Sequence, residues 1–345
     1  MRISDFDYEL PEELIAQHPL KERDASRMLV VNRAAGTFED KHFLSLPGYL
    51  RAGDCVVLNN TKVFPARLLG HRVATGGSIE ILLMREIEFG KWQVLARPAR
   101  RLQAGSRVQF GPPALAGTVV EVFDDGTRAI KFEPCDDLLN MIEEIGETPL
   151  PPYIKRGPGA ARQDRDRYQT VYAQEKGAIA APTAGLHFTP EVLRELKENH
   201  VRVAEITLHV GYGTFEPVRV QEVAQHRVLA ERFTITEEAA SVINECRRAS
   251  GRVVAVGTTT TRALESSVSK DGQVLPARGV ADLTITPGHS FRAVDALLTN
   301  FHLPRSSLLL LVSAFAGCEV VMQAYRHAVC ERYRFYSYGD CMLLL

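Results

Sequence analysis

Residues 180–188 read Ala-Ala-Pro-Thr-Ala-Gly-Leu-His-Phe, and the rest of the chain is best understood from this stretch outward. A polar loop of small residues, a threonine and a histidine follows directly on the apolar run Gly177-Ala-Ile-Ala-Ala181. A buried strand that ends in this way is how an α/β protein presents chemistry at the carboxyl edge of its sheet. Three later segments repeat the arrangement: ITLHVGYGTF (206–215), VVAVGTTTTR (253–262) and ALLTNFHLP (296–304). An earlier run, Cys55-Val-Val-Leu58, leads into the polar end Asn59-Asn-Thr-Lys62. Apolar runs that each end in hydroxyls, glycines and a histidine or arginine predict one shared cleft and an enzyme.

Outward from that stretch, strands alternate with helices. Thr189-Pro190 opens a helix over EVLRELKEN, with threonine as N-cap and proline in the first turn. Thr236 caps a second helix whose Ala239, Ala240, Ile243 and Cys246 share a face, and Gly251 ends it. EVVMQAYRHAVCERY (319–333) has an apolar stripe at helical spacing. Alternation of this kind predicts an α/β fold, a mixed sheet flanked by helices, to which the runs at 28–31 and 55–58 also belong. Between about Pro65 and Pro134 the texture changes to short runs (SIEILLM, KWQVLA, SRVQF, TVVEVF, RAIKFE) separated by glycine and proline, with a hairpin turn at Asp125-Gly126. That segment predicts an inserted small all-β barrel. The expected domains are a discontinuous α/β body, 1–64 and 152–345, interrupted by the barrel at 65–151.

The length of 345 residues is ample for two domains, and 45% hydrophobic with 24% charged residues is ordinary for a soluble globular chain. The acidic start MRISDFDYELPEEL is not a signal peptide, and Leu308–Phe315 is too short to span a bilayer. Six scattered cysteines without a CxxC pair point to a reduced, cytoplasmic home. Paired Cys/His spacings and HExxH are missing, so no metal is expected. Neither a P-loop nor a GxGxxG turn is present, since Glu216 stands where the third glycine would be needed. The net charge of −1 does not favour nucleic acid, but its distribution does. Arg97, Arg100, Arg101 and Arg107 cluster, as do Lys155, Arg156, Arg162, Arg165 and Arg167, and guanidinium forks chelate phosphate oxygens. A solvated surface loop explains the same arginines more blandly.

Eight segments together resemble the S-adenosylmethionine:tRNA ribosyltransferase-isomerases of queuosine biosynthesis. They are LNNTKVFPARL (58–68), GETPLPPYI (146–154), DRYQTVYA (166–173), AAPTAGLHF (180–188), HVGYGTFEPV (209–218), GTTTTRALES (257–266), DALLTNFHLPRSSLLLLVSAFAG (295–317) and YRFYSYGD (333–340). Cys341 and the terminal leucines depart from the family pattern after YGD. The resemblance implies an α/β domain with an inserted β-barrel. It also implies transfer and isomerisation of the ribosyl group of S-adenosylmethionine onto 7-aminomethyl-7-deazaguanine at the tRNA wobble position. S-adenosylmethionine is then a consumed substrate and no cofactor is expected. The expected partner is tRNA, with no membrane and a monomeric chain.

Such chemistry needs a base at the ribose carbon beside the sulfonium, an acid for departing adenine and a neutral incoming amine. His187 is the expected base or proton shuttle and His209 its partner or substitute; loop-holding hydrogen bonds are the alternative for each. Asp295, Asp340 and Glu216 are the carboxylate candidates, with turn capping the plainer role for Asp340. Tyr338, and with less reason Tyr336, is expected to turn an aromatic face to the sulfonium. The helix start at 257–262 favours an anion, with Thr259, Thr260 and Arg262 as ligands. Asn59, Thr183, Thr214, Asn300 and His302 complete the expected substrate contacts. Arg97, Arg100, Arg101, Lys155, Arg156, Arg165 and Arg167 are the expected tRNA contacts. Two other classes stay open on residues alone: another S-adenosylmethionine enzyme such as a methyltransferase, and a non-catalytic RNA-binding protein.

Overall fold

A computed structural model describes residues 1–135, 137–156, 161–215 and 218–345; the side chains of 161–163 and 214–215 lie outside that description. Contacts divide the chain into two units, Met1–Lys62 with Pro152–Lys155 and Arg167–Leu345, and Val63–Pro151 with Arg156–Asp166. The sequence reading keeps 156–166 with the α/β body, whereas in the structure this piece groups with the β-rich segment.

The strands, in chain order, begin with β1 (Arg27–Asn32), β2 (Thr37–His42), β3 (Cys55–Asn59) and β4 (Thr61–Val63). Next come β5 (Arg67–Arg72), β6 (Ser78–Glu88), β7 (Lys91–Arg97), β8 (Arg107–Phe110), β9 (Leu115–Val122) and β10 (Arg128–Phe132). The last seven are β11 (Glu175–Ala178), β12 (Arg202–Leu208), β13 (Glu231–Ile235), β14 (Val253–Val256), β15 (Ala277–Ala281), β16 (Ala296–Asn300) and β17 (Cys341–Leu344).

β5 to β10 close into an antiparallel barrel in the order β10-β7-β6-β5-β8-β9. Alternation drives it: in β6, Ile79, Ile81 and Leu83 are buried while their neighbours are not. The turn at Asp125-Gly126 joins β9 to β10, and Asp125 accepts from the Thr127 amide.

The other unit holds a nine-stranded sheet, ordered β15-β13-β12-β3-β14-β16-β17-β1-β2. β12, β3, β14 and β16 run parallel; β3, β14 and β16 are buried at every position, as strands covered on both faces are, whereas β12 (RVAEITL) is only partly buried. β17 is antiparallel to β16 and parallel to β1. One edge therefore collects the carboxyl ends of four strands (Asn59, Leu208, Val256, Asn300) and the amino ends of two (Arg27, Cys341). Everything the site needs follows from that geometry.

Five longer helices pack on this unit: α3 (Pro190–Glu198), α4 (Glu237–Arg248), α5 (Thr258–Ser267), α6 (Ser307–Ala316) and α7 (Cys318–Cys330), after α1 (Leu138–Ile145) and α2 (Ala161–Arg167). Thr189, Thr236 and Ser306 accept the first free amides of α3, α4 and α6. α6 is buried on nearly every side, as its all-apolar sequence requires. Among the described residues no single helix is long and apolar enough to cross a bilayer. The core of this unit joins Met28, Val56, Leu58, Val254, Leu298 and Leu343 from the strands to Phe43, Phe188 and Leu196.

One expectation is corrected. Residues 177–181 do not form a strand of the central sheet: β11 stops at Ala178 and pairs only with β4, and 183–187 is a 3-10 turn. An apolar run alone cannot tell a strand from a buried loop. This one is held by a backbone bond from Ile179 to Val210 and by close packing at Gly185, where a β-carbon would lie 2.0 Å from the Tyr172 hydroxyl.

Candidate active site

The sheet edge opens on a narrow cleft with a cavity volume of about 40 Å³. Thr183 and Ala184, Gly257 to Thr259, Thr299 to His302, and Tyr336 with Ser337 line it. β14 delivers the first turn of α5 because Gly257 adopts φ +91°, a left-handed geometry that a side chain would strain, while its amide bonds to Leu298. β16 delivers Asn300. Its amide nitrogen donates to the carbonyls of Tyr336 (2.8 Å) and Ser337 (3.4 Å), which leaves Oδ1 as an acceptor. Tyr336 sits at φ +74°, rare for an aromatic residue and held by those bonds.

His187 lies behind this wall and is buried. Nε2 is 3.1 Å from Asn300 Oδ1 and Nδ1 is 2.7 Å from the Ser26 hydroxyl. Since Asn300 Oδ1 can only accept, His187 carries its proton on Nε2, and Ser26 donates to Nδ1. Burial pushes the imidazole pKa down to about 4, with Arg334 and Arg23 adding to the effect against the Asn300 bond, so the ring is neutral at pH 7. Neither nitrogen is open to a ligand. Ser26–His187–Asn300 is a relay through which a proton moves only if Ser26 exchanges it.

His302 is the histidine that lines the cleft itself. Its Nε2 is 2.9 Å from the Thr299 hydroxyl, and burial lowers its pKa to about 3. Tyr8 donates to its carbonyl and Tyr325 accepts from its amide, so the backbone is fixed. His209 is elsewhere: its Nδ1 is 2.8 Å from the Thr61 hydroxyl, and among the described residues no hydrogen bond joins it to His187. Burial lowers the His209 pKa, with Arg232 helping and Glu175 opposing. The expected pairing of His187 with His209 is therefore not what the fold builds, because the two loops leave different strands.

Other expectations are redistributed. Asn59 is fully buried and bonds both the amide and the carbonyl of Leu208 at 2.9 Å, so it holds Thr259 (3.4 Å) rather than lining the cleft. Thr260 gives its hydroxyl to the Val256 carbonyl at 2.7 Å and Thr261 to Gly257 at 3.1 Å, which leaves only Thr258 and Thr259 facing the cavity. Arg262 is no anion ligand in this arrangement: it pairs with Glu231 at 2.5 Å and donates to the carbonyls of Leu229, Ala281 and Leu283. Asp295 belongs to the opposite edge of the sheet, where it accepts from the Val253 amide at 2.8 Å near Arg247. Asp340 takes the capping role: its oxygens accept from the amides of Arg27 (3.0 Å) and Arg334 (2.8 Å), while burial raises its pKa against those bonds. Glu216 and the side chain of Thr214 lie outside the described residues.

The arginines divide as well. Arg97, Arg100 and Arg101 are exposed at the end of β7 and the short turn after it. Arg156 is held in a two-point pair with Asp164 at 2.6 and 2.9 Å, so its fork is not presented to a phosphate. Arg167 clasps the carbonyls of Leu20 and Lys21. Lys155 pairs with Glu12 on the surface, and Arg165 reaches the Glu143 carbonyl at 3.3 Å. The side chain of Arg162 is outside the described residues.

Two further cavities adjoin. A chamber of about 330 Å³ shares Leu308 and Tyr336 with the cleft and is lined by Val228, Leu229, Ile285 and Leu311 beside the Arg262–Glu231 pair. A crevice of about 30 Å³ is lined by Arg23, Ser26, Arg167, His187, Arg334 and Tyr338. Tyr338 thus faces the crevice and Tyr336 the cleft, the reverse of the weight the sequence gives them. Tyr153 and Tyr168 also line the cleft. Sequence reasoning passed over them and Ser26, although 146–154, 166–173 and 333–340 already stood out as motifs.

A family model described as "Queuosine biosynthesis protein" matches residues 3–344. A curated protein of Symbiobacterium thermophilum named S-adenosylmethionine:tRNA ribosyltransferase-isomerase is 52% identical over 345 residues, covering all of both chains. A protein of the same name from Desulforamulus reducens is 49% identical, again over the whole of both. A crystal structure titled S-adenosylmethionine tRNA ribosyltransferase, from Thermotoga maritima, is 40% identical and has a TM-score of 0.55; the match covers 99% of this chain and 100% of that one. With the fold, the strand-end cleft and these full-length matches together, the chain belongs to the queuosine biosynthesis protein family.

Proposed function

We infer that this chain is an S-adenosylmethionine:tRNA ribosyltransferase-isomerase. It transfers and isomerises the ribosyl moiety of S-adenosylmethionine onto 7-aminomethyl-7-deazaguanine in the wobble position of a tRNA, giving epoxyqueuosine-tRNA, adenine and methionine. The observation that carries the reading is one cleft assembled from chain segments that are far apart in sequence, all at one sheet edge.

The cleft and the adjoining chamber suit a sulfonium nucleoside in complementary ways. Apolar walls at Leu229, Ile285 and Leu311 favour a flat base, and Thr258, Thr259 and Asn300 offer hydrogen bonds to ribose hydroxyls. Tyr336, between the two, places its ring where cation–π attraction of about 0.5–2 kcal/mol reaches the sulfonium. His302 lines the cleft as a neutral hydrogen-bonding group; burial that lowers its pKa to about 3 makes it too weak a base to take the proton from the ribose carbon beside sulfur. Ser26–His187–Asn300 positions the opposite wall. S-adenosylmethionine is consumed, so the reaction needs no cofactor. The chain acts as a cytoplasmic monomer, with the exposed Arg97, Arg100 and Arg101 contacting tRNA phosphates.

The deciding assay incubates the protein with S-adenosylmethionine and tRNA bearing the aminomethyl-deazaguanine. Adenine and methionine should appear in equal amounts. S-adenosylhomocysteine instead of adenine would establish a methyltransferase, and tRNA binding without S-adenosylmethionine binding would establish a non-catalytic RNA-binding protein.

A further inference from the structure

We propose that Ser307 and His226 form the proton-donating pair for the departing adenine, with the Ser307 hydroxyl touching the base and His226 behind it renewing the proton.

This role rests on the function proposed above, which needs an acid at the leaving base and seats that base in the chamber of about 330 Å³. Among the described residues the polar side chains lining the chamber are Glu231, Arg262, Arg305, Ser306, Ser307 and Tyr336. Most are committed elsewhere. Glu231 holds Arg262 and the Gly211 amide, and Arg262 donates to three carbonyls besides. Arg305 pairs with Asp7. Ser306 caps α6, accepting from the Leu309 amide at 3.3 Å and donating to the Leu303 carbonyl at 2.7 Å. Burial pushes the Tyr336 phenol up to about 12, which makes it a poor acid at neutral pH. Ser307 is left.

Ser307 is partly exposed, and among the described residues its hydroxyl makes one hydrogen bond, 2.7 Å to Nε2 of His226. His226 ends the short turn Val223–Gln225, and its amide bonds the Val223 carbonyl at 3.1 Å, so the backbone behind the ring is fixed. With a proton on Nε2 the imidazole donates to Ser307 Oγ, and the serine hydrogen is free for an acceptor in the chamber. His226 keeps 8% of its surface exposed, so water can return a proton to the ring. Neither His187 nor His302 lines the chamber.

The transfer balances. The bond from ribose to the base breaks, and its electron pair stays on adenine. The serine hydrogen passes to an adenine nitrogen as Nε2–H of the charged imidazole passes to Ser307 Oγ. The hydroxyl is restored, and the ring is left neutral with its proton on Nδ1. Burial and then Arg227, the charge that acts on the ring, lower the His226 pKa, so its charged form is a stronger acid than an ordinary imidazolium.

The test uses the full chain with S-adenosylmethionine and tRNA bearing the aminomethyl-deazaguanine, and it reads adenine release. His226→Gln and Ser307→Ala should each lower kcat about a hundredfold or more, while the Kd for S-adenosylmethionine changes less than about threefold. Ser307→Thr keeps the hydroxyl and should recover most of the rate. An analogue of S-adenosylmethionine with hypoxanthine as its base has a better leaving group and needs less help from an acid. On that analogue the gap between wild type and His226→Gln should shrink at least about fivefold. A tie that only holds the turn against α6 would slow both substrates alike, or raise Kd with kcat intact. Either result overturns the proposal, as does wild-type kcat in both variants. Should His226→Gln fail to fold, Ser307→Ala and Ser307→Thr carry the same comparison on both substrates. A wild type that releases no adenine instead overturns the function, which is a separate result.

Discussion

The two edges of the central sheet carry similar residues and do opposite things with them. At the amino edge, Asp54 is almost fully buried and bonds the Arg252 guanidinium at 2.6 and 3.1 Å and the amides of Arg51 and Arg252. Burial alone would raise its pKa; the arginine and the two amides outweigh it and hold the carboxyl below its ordinary value. Asp295 likewise caps Val253 there. At the carboxyl edge, neutral groups (Thr258, Thr259, Asn300, His302) surround open space. Charge matched within the protein makes a lock, and polarity left unmatched makes a site.

The largest expected effect tests the lock. Asp54→Ala leaves Arg252 unpaired and should cost about 3 kcal/mol of stability, read from denaturant unfolding. Turnover per folded molecule should be unchanged, and a proportionate loss of kcat would erase the distinction between the edges. Next, Asn300→Ala should lower kcat by about a hundredfold with a smaller stability loss, since it frees the Tyr336 carbonyl and the His187 ring at once. Wild-type turnover from that variant would remove the cleft from the chemistry. Gly257→Ala strains a backbone at φ +91° and should cost about 1–2 kcal/mol, with KM for S-adenosylmethionine rising as the α5 start shifts.

Acid should act on the carboxyl edge before the other. His187 and His302 have folded pKa values below their unfolded ones, so the stability tied to their neutral forms is present above about pH 6.5. It drains away as the pH falls from there toward about 4. His187→Gln should flatten that part of the curve of Tm against pH; an unaltered curve means that the ring does not titrate in the folded protein. The smallest effect is the sharpest contrast. Asp295→Asn should change turnover less than about twofold, because the residue sits at the locked edge.

Legibility followed the same division. The repeated strand-end pattern gave the sheet, apart from residues 177–181, and the segments that meet at the cleft, while short runs broken by glycine and proline gave the barrel, because hydrophobic period and turn residues act locally. Individual roles were less readable. His187 and His302 look alike in sequence, yet one is enclosed by Ser26 and Asn300 and the other faces the cavity. Ser26, 161 residues from His187, gave no local signal of its part in the relay. Thr260 reads as a ligand hydroxyl in sequence, but the helix turns it, like Thr261, back onto a carbonyl four residues earlier.

By itself the sequence determined which segments are apolar, where they stop and what polar residues stand at each stop, and so the α/β body, the barrel and the family. Only the tertiary structure decided which of those residues are paired with each other and which remain for a ligand. The physical reason is that a hydrogen bond or ion pair depends on distances of about 3 Å between groups far apart in the chain. The strand register that sets those distances exists only once the sheet has formed.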